Sequence, residues 1–445
     1  MASDIQWFEK PLGEVTVNHD GKRRPVKESE RKKGPFPYYG ASGIVDYVDG
    51  YLFEGRYLLI AEDGENLRTR QTPIAFMADG KFWVNNHAHI VTGNGEVTTE
   101  YLHYFLQDAD IQSYLTGAVM PKLTQGNLNR IPVRYPDPDS QRSIVQVLGS
   151  LDAKIDLNRR INQTLEAMAQ AIFQSWFVDF DPVKAKIAAK AEGRDPLRAA
   201  MSAISGKADA ELEALPLEQY EQLAATAALF PNAMEASNLG QIPKGWAINQ
   251  ISQFGDVVCG KTPSKTNPDF FGEGIPFIKI PDMHNNVYVV SPLEQLSASG
   301  AASQVKKTIP PGSICVSCIA TVGKVVIAHE PSQTNQQINS IVPRHPQYTT
   351  YLYFQMRAKD KEFHDLASGG SATLNMNTST FSKVSVLNPA FNVLEKFSVN
   401  VEPLFSEILV RQKQSALLSE ARDTLLPKLL SGELSVADAM VEAVA

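Results

Sequence analysis

The sequence is poor in cysteine, in long apolar runs and in net positive charge. Only three cysteines occur among 445 residues, which is typical of proteins that stay in a reducing compartment. No apolar run approaches the roughly 20 residues that a membrane-spanning helix needs. The first residues also lack the basic and apolar regions of a secretory signal. These absences argue against a secreted or membrane protein, and we expect a cytoplasmic one.

The net charge argues against a protein that holds DNA by itself. The formal charge is −7 at pH 7, whereas binding to the DNA backbone normally requires a basic surface. Positive charge is concentrated in residues 21–27 and 31–33. These segments are either solvent-exposed loops, or they contact phosphates while a partner protein neutralises the rest of the backbone.

The chain repeats one pattern of segments after about 250 residues, which indicates a duplicated domain. Each copy begins with a tryptophan, Trp7 or Trp246, and continues through a short strand, a polar cluster, a helix and a glycine-containing loop. The paired segments are residues 57–61 and 313–317 (strands), 84–91 and 334–341 (polar clusters), and 117–129 and 368–380 (loops). The helices begin near Tyr101 and Tyr351. This pattern predicts an α+β protein with two mixed α/β domains.

A long helix is predicted after each copy, over residues 141–177 and 394–430. Apolar residues recur three and four apart in both, as in a coiled coil. The predicted contact residues are Leu148, Leu151, Ile155, Asn158, Asn162, Leu165 and Ile172 in the first helix, and Val401, Leu404, Ile408, Leu418 and Leu425 in the second. The two amides would fix the register of the pair at a cost in stability. Two amphipathic helices packed on separate domains are the alternative.

Two copies of a domain followed by a helix can pair around a pseudo-twofold axis, as identical subunits do in a dimer. The helices would then form an antiparallel coiled coil. A helix of about 37 residues is about 55 Å long, the length of about 16 base pairs. The pair would therefore act as a ruler between two domains whose polar loops differ.

Six segments resemble the specificity subunits of type I restriction-modification systems, in the same order and over nearly the whole chain. They are residues 38–44 (YYGASGI), 82–89 (FWVNNHAH), 173–182 (FQSWFVDFDP), 242–246 (IPKGW), 260–264 (GKTPS) and 425–434 (LLPKLLSGEL). The resemblance implies a non-catalytic subunit that recognises a bipartite, asymmetric double-stranded DNA target. It also implies two modification subunits, which bind S-adenosylmethionine and methylate adenine, and restriction subunits that use ATP and Mg²⁺. No cofactor is expected in this chain.

The resemblance gives each segment a role. The predicted parts are target-recognition domain 1 (residues 1–139), spacer helix 1 (140–181), an insertion (182–239), target-recognition domain 2 (240–389), spacer helix 2 (390–434) and a tail (435–445). The insertion is the weakest match, and its composition predicts a partly helical surface segment.

Side chains that present hydrogen-bond patterns to base edges read sequence, whereas lysine and arginine on phosphates position the protein. In the first domain the predicted base contacts are Tyr38, Tyr39, Asn85, Asn86, His87, Lys122, Gln125 and Asn127, and the predicted phosphate contacts are Lys22, Arg23, Arg24, Lys32 and Lys33. In the second domain the predicted contacts are Lys261, Thr262, Lys265, Lys279, Asn335, Gln336, Gln337, Asn375 and Asn377. Helix caps and strand-end hydrogen bonds are the alternative role for each of them.

Residues 255–262 satisfy the nucleotide-binding pattern GxxxxGK[ST]. A functional phosphate loop requires a helix that starts at the lysine, and Pro263 and Pro268 argue against one. The two prolines thus disfavour nucleotide binding. The alternative functions are a P-loop ATPase and a coiled-coil scaffold that binds only protein.

Three further motifs are better explained as structure. Cys315 and Cys318 lie in an apolar run that predicts a buried strand, although a zinc or redox pair is the alternative. His87 and His89 would share a strand face without a third metal ligand nearby. Residues 267–270 and 388–391 resemble the adenine-binding motif of methyltransferases but lack its second proline, which favours turns.

Overall fold

The computed structural model describes residues 6–238, 240–368, 374–436, 438 and 439. The chain has an α+β architecture and divides into two compact units. The first unit comprises Met1–Ile155 with Leu417–Ala445, and the second comprises Asp156–Ala416. The predicted repeat thus corresponds to two units, each of which is described in turn.

The first unit is built around a six-stranded sheet of order β2-β7-β5-β6-β3-β4, and β1 pairs separately with β8. Its strands are β1 (Trp7–Pro11), β2 (Thr16–Asn18), β3 (Lys33–Gly40), β4 (Gly43–Val48), β5 (Phe53–Ala61), β6 (Ala75–Val84), β7 (Ala88–Gly93) and β8 (Pro132–Pro136). Its short helices are α1 (Leu12–Val15), α2 (Asn66–Thr69), α3 (Thr99–Asp108) and α4 (Gln125–Leu128). The long helix α5 (Pro138–Phe177) follows.

Four helices form the insertion: α6 (Asp181–Ala191), α7 (Pro196–Ser205), α8 (Asp209–Glu213) and α9 (Leu217–Ala228). Helix α7 begins with Pro196 behind Asp195, whose carboxylate accepts a hydrogen bond from Leu197 N–H at 2.8 Å. It ends at Gly206, which adopts a positive φ of 69°. Ala200, Met201, Leu212 and Ala227 form a small buried cluster between the helices.

The second unit contains a five-stranded sheet of order β12-β19-β16-β17-β14, a three-stranded sheet β15-β13-β18, and the pairs β9-β10 and β11-β20. Its strands are β9 (Met234–Ser237), β10 (Gly240–Pro243), β11 (Ala247–Gln250), β12 (Gly255–Cys259), β13 (Phe271–Ile278), β14 (Tyr288–Val289), β15 (Gln295–Leu296), β16 (Ile314–Ser317), β17 (Val325–Ala328), β18 (Gln333–Thr334), β19 (Ile338–Pro343) and β20 (Ser385–Asn388). Its helices are α10 (Ile251–Phe254), α11 (Ala298–Ala302), α12 (Tyr348–Ala358), α13 (Asp360–Ala367) and α14 (Thr378–Ser382), followed by the long helix α15 (Phe391–Ser431).

The two units repeat one topology. The order strand, helical turn, strand occurs as β1-α1-β2 and again as β11-α10-β12. Strand β1 pairs with β8 as β11 pairs with β20, and β2 pairs with β7 as β12 pairs with β19, all antiparallel. The predicted duplication is confirmed in these elements.

The central strand of each large sheet is covered on both faces. Leu58 and Ile60 of β5 lie in one buried cluster and Leu59 in another. Ile314 and Val316 of β16 alternate with Cys315 in the same way. Successive side chains of a strand point to opposite faces, so burial of both faces requires the continuous apolar runs seen in the sequence.

The long helices contact each other within each unit. In the first unit, Leu148 and Leu151 of α5 share a buried cluster with Leu425 and Leu429 of α15. In the second unit, Asn158 Nδ2 donates to Gln414 Oε1 at 2.9 Å. Both helices begin three residues before their predicted starts. Proline at the first helical position explains this for α5, since Pro138 lacks only an N–H that has no intrahelical partner there.

The predicted helix-contact residues are buried to different degrees. Leu148, Leu151, Asn158, Val401, Ile408 and Leu425 are buried, whereas Ile155, Asn162, Leu165, Ile172, Leu404 and Leu418 are partly buried. Asn158 also accepts a hydrogen bond from Arg411 Nη1 at 3.2 Å. The weaker apolar pattern around residues 411–415 thus corresponds to a layer of polar contacts.

Candidate nucleic-acid interface

A buried asparagine shapes the turn between β6 and β7. Asn85 is only 8% exposed, and its Oδ1 accepts a hydrogen bond from His87 N–H at 2.8 Å. Such a bond from a side chain to the backbone two residues later is an Asx turn. Asn86 and His87 are exposed on this turn, and His87 Nδ1 lies 2.7 Å from an Asp63 carboxylate oxygen. The turn therefore presents two of the predicted base-reading residues and withdraws the third.

The second unit has the same turn between β18 and β19. Asn335 is 7% exposed, and its Oδ1 accepts from Gln337 N–H at 3.1 Å. Gln336 is exposed, and its Oε1 accepts from the Thr262 hydroxyl at 2.6 Å. Gln337 is partly buried and accepts from Asn335 Nδ2 at 3.0 Å. The prediction that Asn85 and Asn335 contact bases is therefore wrong, because both side chains are buried and hydrogen-bonded within their turns.

Backbone hydrogen bonds fix both turns identically. Glu62 N–H donates to the His87 carbonyl at 2.9 Å, and Cys318 N–H donates to the Gln337 carbonyl at 2.8 Å. The loop that closes each domain is attached at the same residues, since Leu123 N–H donates to Glu62 O and Met376 N–H to Cys318 O, both at 2.8 Å. Position 62 of the first domain thus corresponds to position 318 of the second.

The closing loops carry the remaining polar candidates. Lys122 and Gln125 are exposed, whereas Asn127 is partly buried and its Nδ2 donates to Tyr114 O at 2.9 Å. In the second domain Asn375 is exposed. Asn377 is exposed as well, and its Oδ1 caps α14 by accepting a hydrogen bond from Thr380 N–H at 2.9 Å. The caps of α4 and α14 hold these loops in place.

The predicted phosphate contacts of the first domain, and the predicted lysine and threonine contacts of the second, differ in their exposure to solvent. Lys22, Arg24, Lys32, Lys33, Lys261 and Lys265 are exposed. Thr262 and Lys279 are partly buried, and Lys279 forms an ion pair with Glu294. Arg23 is turned inward, where its Nη1 donates to Glu62 Oε2 at 2.6 Å and to Ala88 O at 2.8 Å. The phosphate role predicted for Arg23 is therefore wrong.

The prediction that Tyr38 contacts bases is also wrong. Its ring is 1% exposed, and its hydroxyl accepts a hydrogen bond from Val26 N–H at 2.9 Å. The guanidinium of Arg31 lies 4.6 Å from the ring centroid, within cation–π distance. Tyr39 is partly buried against Phe76 and Phe82, and burial raises the pKa of its hydroxyl. Strand alternation predicts that one of two adjacent tyrosines faces the core.

A buried charged cluster, which sequence reasoning missed, lies behind the first domain's loops. It consists of Asp20, Arg23, Glu62 and His89. His89 is 1% exposed, with Nδ1 2.5 Å from Asp20 Oδ2 and Nε2 2.8 Å from Leu123 O. The only sequence signal was a histidine among apolar residues of a buried strand.

Hydrogen bonds keep both carboxyl groups of the cluster ionised. Burial opposes ionisation of Asp20, but hydrogen bonds from His89 and from Ile90 N–H outweigh it and lower the pKa of this carboxyl. Burial also raises the pKa of Glu62. The hydrogen bond from Arg23 and the interaction with His89 outweigh burial, so that the pKa of this carboxyl lies below its ordinary value. The cluster is thus an assembly of ion pairs inside the domain.

Residues of the GxxxxGK[ST] pattern do not form a phosphate loop. Residues 255–259 are strand β12, paired with β19, and residues 260–267 contain no helix. The lysine of the pattern, Lys261, donates its N–H to the Thr334 carbonyl at 2.9 Å, as part of a strand-end connection. The predicted absence of a helix at this lysine is confirmed.

The interpretation of the cysteine pair as a buried strand is confirmed as well. Cys315 lies in β16 and Cys318 directly follows it, and both are buried. Burial raises the pKa of both thiols to about 12, so that they are protonated and poor nucleophiles. Of the methyltransferase-like motifs, Asn267 caps a single 3₁₀ turn and Asn388 ends β20.

Residues 5–167 and 243–393 each match the family described as "Type I restriction modification DNA specificity domain". The chain is 42% identical, over 398 residues, to the type I restriction enzyme HindI specificity subunit of Haemophilus influenzae, covering 85% of this chain and 84% of that protein. The chain belongs to the type I restriction-modification specificity subunits.

More distant relatives of this specificity subunit extend over nearly its whole length. The MjaIX specificity subunit of Methanocaldococcus jannaschii is 23% identical over 96% of this chain and 92% of that protein. The crystal structure of a type I restriction-modification S subunit from M. genitalium covers 96% of this chain and 97% of that chain, with a TM-score of 0.54. The two sequences are 13% identical, so this similarity shows only that the two chains share a fold. Among the described residues of this specificity subunit, no helix has the length and hydrophobicity to cross a membrane.

Proposed function

We propose that this specificity subunit reads a bipartite, asymmetric DNA target, one half through each domain, and performs no catalysis itself. The observation that carries the proposal is the pair of matched domains with identical backbone frames and different exposed side chains. The first turn presents Asn86 and His87, whereas the second presents Gln336. Because these side chains offer different donor and acceptor patterns to a base pair, the two half-sites should differ in sequence.

The proposal includes partner subunits. The formal net charge of this chain is −7, so we propose that two modification subunits share the contact with the DNA backbone. These subunits would bind S-adenosylmethionine and methylate adenine, and restriction subunits would bring ATP- and Mg²⁺-dependent cleavage. A P-loop ATPase is not favoured, because β12 occupies the pattern that would bind nucleotide.

We further propose that α5 and α15 form an antiparallel coiled coil on a pseudo-twofold axis. In the second unit, Asn158 contacts Gln414, and the ring of Phe173, farther along α5, lies edge-to-face with that of Phe397, earlier in α15. This order of contacts supports the antiparallel arrangement. Lengthening both helices by one turn between residues 156–162 and 409–415 should lengthen the spacer of the target and leave its half-sites unchanged. New half-sites with an unchanged spacer would contradict the ruler.

The first experiment is to sequence modified bases in DNA from a host that expresses this chain with and without its modification subunit. We expect methylated adenines in one gapped motif, on opposite strands of its two halves, only when both proteins are present. Modification by this chain alone would contradict a non-catalytic role. An intact complex that modifies no motif would favour a protein scaffold.

Single substitutions then assign each half-site. Asn86→Ala should weaken recognition of one half-site and Gln336→Ala that of the other, each by about 1–3 kcal/mol. Gln219→Ala, an exposed glutamine of the insertion, is the matched control. Equal losses on both half-sites from either variant would argue against independent domains.

A further inference from the structure

Both ring nitrogens of the buried His89 face groups that can only accept hydrogen bonds. Nδ1 lies 2.5 Å from the carboxylate of Asp20, and Nε2 lies 2.8 Å from the carbonyl oxygen of Leu123. A neutral imidazole carries one N–H, so either tautomer would turn a lone pair toward one of these oxygens. Only the imidazolium form, with two N–H groups, donates to both acceptors.

The surrounding charges match an imidazolium. Asp20 and Arg23 face His89 from the N-terminal segment, and Glu62, from the end of β5, lies 3.9 Å from Nδ1. Arg23 pairs with both carboxylates, and Lys122 reaches Glu62 from the solvent side at 3.2 Å. An imidazolium at His89 would therefore lie beside two carboxylates, of which Glu62 is also paired with Lys122 at the solvent side.

The cluster joins three segments that carry the predicted DNA contacts. Asp20 begins the helical turn Asp20–Lys22, which holds Lys22 and precedes Arg24. Leu123 lies between Lys122 and Gln125 of the closing loop. Arg23 fixes the Ala88 carbonyl directly after the turn of Asn86 and His87. One buried side chain thus lies at the centre of the loops that would face DNA.

We propose that His89 is a positioning residue held as an imidazolium ion, which fixes the three DNA-facing loops of the first domain and makes reading of that half-site sensitive to its protonation. The DNA part of this proposal rests on the proposed function, whereas the protonation and the loop order do not.

The second domain provides an internal control. The pairing of the strands places Asn339 opposite Val316 as His89 lies opposite Ile60, so that the two residues occupy equivalent positions. Asn339 Oδ1 accepts from the Thr378 hydroxyl at 2.9 Å and thus also links its strand to the closing loop. Its neighbour at the position of Glu62 is the protonated thiol of Cys318. No member of this link changes its charge between pH 6 and 9.

The first test needs no DNA. In the full chain with ¹⁵N-labelled histidine, the resonances of His89, assigned by loss in His89→Gln, should show two protonated ring nitrogens at neutral pH. Hydrogen exchange in residues 19–24 and 122–127 should accelerate at least tenfold in His89→Gln and remain unchanged in residues 374–378. A neutral His89 at pH 6 to 7, or unchanged exchange in both first-domain loops, would overturn the proposal.

The second test measures discrimination at each half-site from pH 6 to 9, with the chain in complex with its modification subunits. Discrimination at the first half-site should fall about tenfold as His89 loses its proton, whereas the second half-site should not change. His89→Gln should show the reduced value at every pH, and His364→Gln, an exposed histidine of the second domain, should behave as wild type.

The outcomes separate the two proposals. Absence of discrimination at both half-sites at every pH would contradict the proposed function, while the nitrogen resonances still decide the state of His89. Equal pH dependence at both half-sites, or pH dependence that persists in His89→Gln, would overturn the positioning role. Should His89→Gln fail to fold, Asp20→Asn, which retains the size of the side chain, serves for both tests.

Discussion

The two domains share one backbone junction but support it with different side-chain chemistry. Both attach a polar turn and a closing loop to the end of a buried strand through the same backbone hydrogen bonds. The first domain fills the space behind this junction with ion pairs around His89, whereas the second uses Asn339, Thr378 and the thiol of Cys318. The backbone frame therefore does not dictate the side chains that support it, and the two domains should respond differently to mutation and to pH.

The largest effect is expected from removing one partner of the charged cluster. Asp20→Ala removes the hydrogen-bond acceptor of the buried His89 Nδ1 and one carboxylate partner of Arg23, which should lower the free energy of unfolding of the first domain by about 3–5 kcal/mol. Cys318→Ala, at the junction of the second domain, should cost about 1 kcal/mol, because it removes one apolar atom. Hydrogen exchange on the full chain reports each domain separately, with the exposed Asp49→Ala as control. Similar losses of unfolding free energy in Asp20→Ala and Cys318→Ala would contradict the proposed difference between the two domains.

The next effect concerns two asparagines on one helix. Asn158 is fully buried and bonded to Gln414, Ser415 and Arg411, so Asn158→Leu should destabilise the helix pair by about 1–3 kcal/mol. Within the described residues, the buried Oδ1 of Asn162 has no hydrogen-bond partner. Asn162→Leu should accordingly be neutral or stabilising. Chemical denaturation of both variants tests the difference, and a larger loss in Asn162→Leu would show that the polar contacts of Asn158 contribute little.

Acid should loosen the first domain's junction to a smaller extent. The pKa values of Asp20 and Glu62 lie below their ordinary values in the folded chain. Their contribution to stability is therefore present above the unfolded pKa of about 4 and is lost as the pH falls through the folded values. Hydrogen exchange between pH 5 and 3, corrected for intrinsic rates, should rise in residues 19–24 before it rises in residues 374–378. Asp20→Asn should reduce this acid response, and an unaltered response would exclude Asp20 as its source.

The smallest effect should come from single exposed lysines. Lys32→Ala and Lys265→Ala should each weaken DNA binding of the complex about equally at all sequences and reduce the dependence of log Kd on log salt by about one. Titrations at several salt concentrations measure this slope, with the exposed Lys361→Ala as control. A loss confined to one half-site would instead indicate base contact.

The duplication, the long helices and the turn positions could be predicted from sequence, because each depends on local patterns. Apolar spacing predicted the helices within three residues, and the two polar clusters marked the turns. The assignment of individual side chains was less accurate, since it depends on partners far along the chain. Arg23 looked like a surface cation until its contact with Glu62, 39 residues away, was known. Tyr38 likewise depends on Val26, and the amide of Asn85 on its own turn.

In each turn, a buried asparagine stabilises the backbone, and the residue that follows it is exposed to solvent. Asn85 and Asn335 hold the backbone whatever occupies the next position. Substitutions at Asn86 or Gln336 thus cost the fold little, while every one of them alters the surface that a ligand encounters. On the proposed function, changes of one or two codons per domain would alter the preferred target, and an engineer could vary the same positions without redesigning the scaffold.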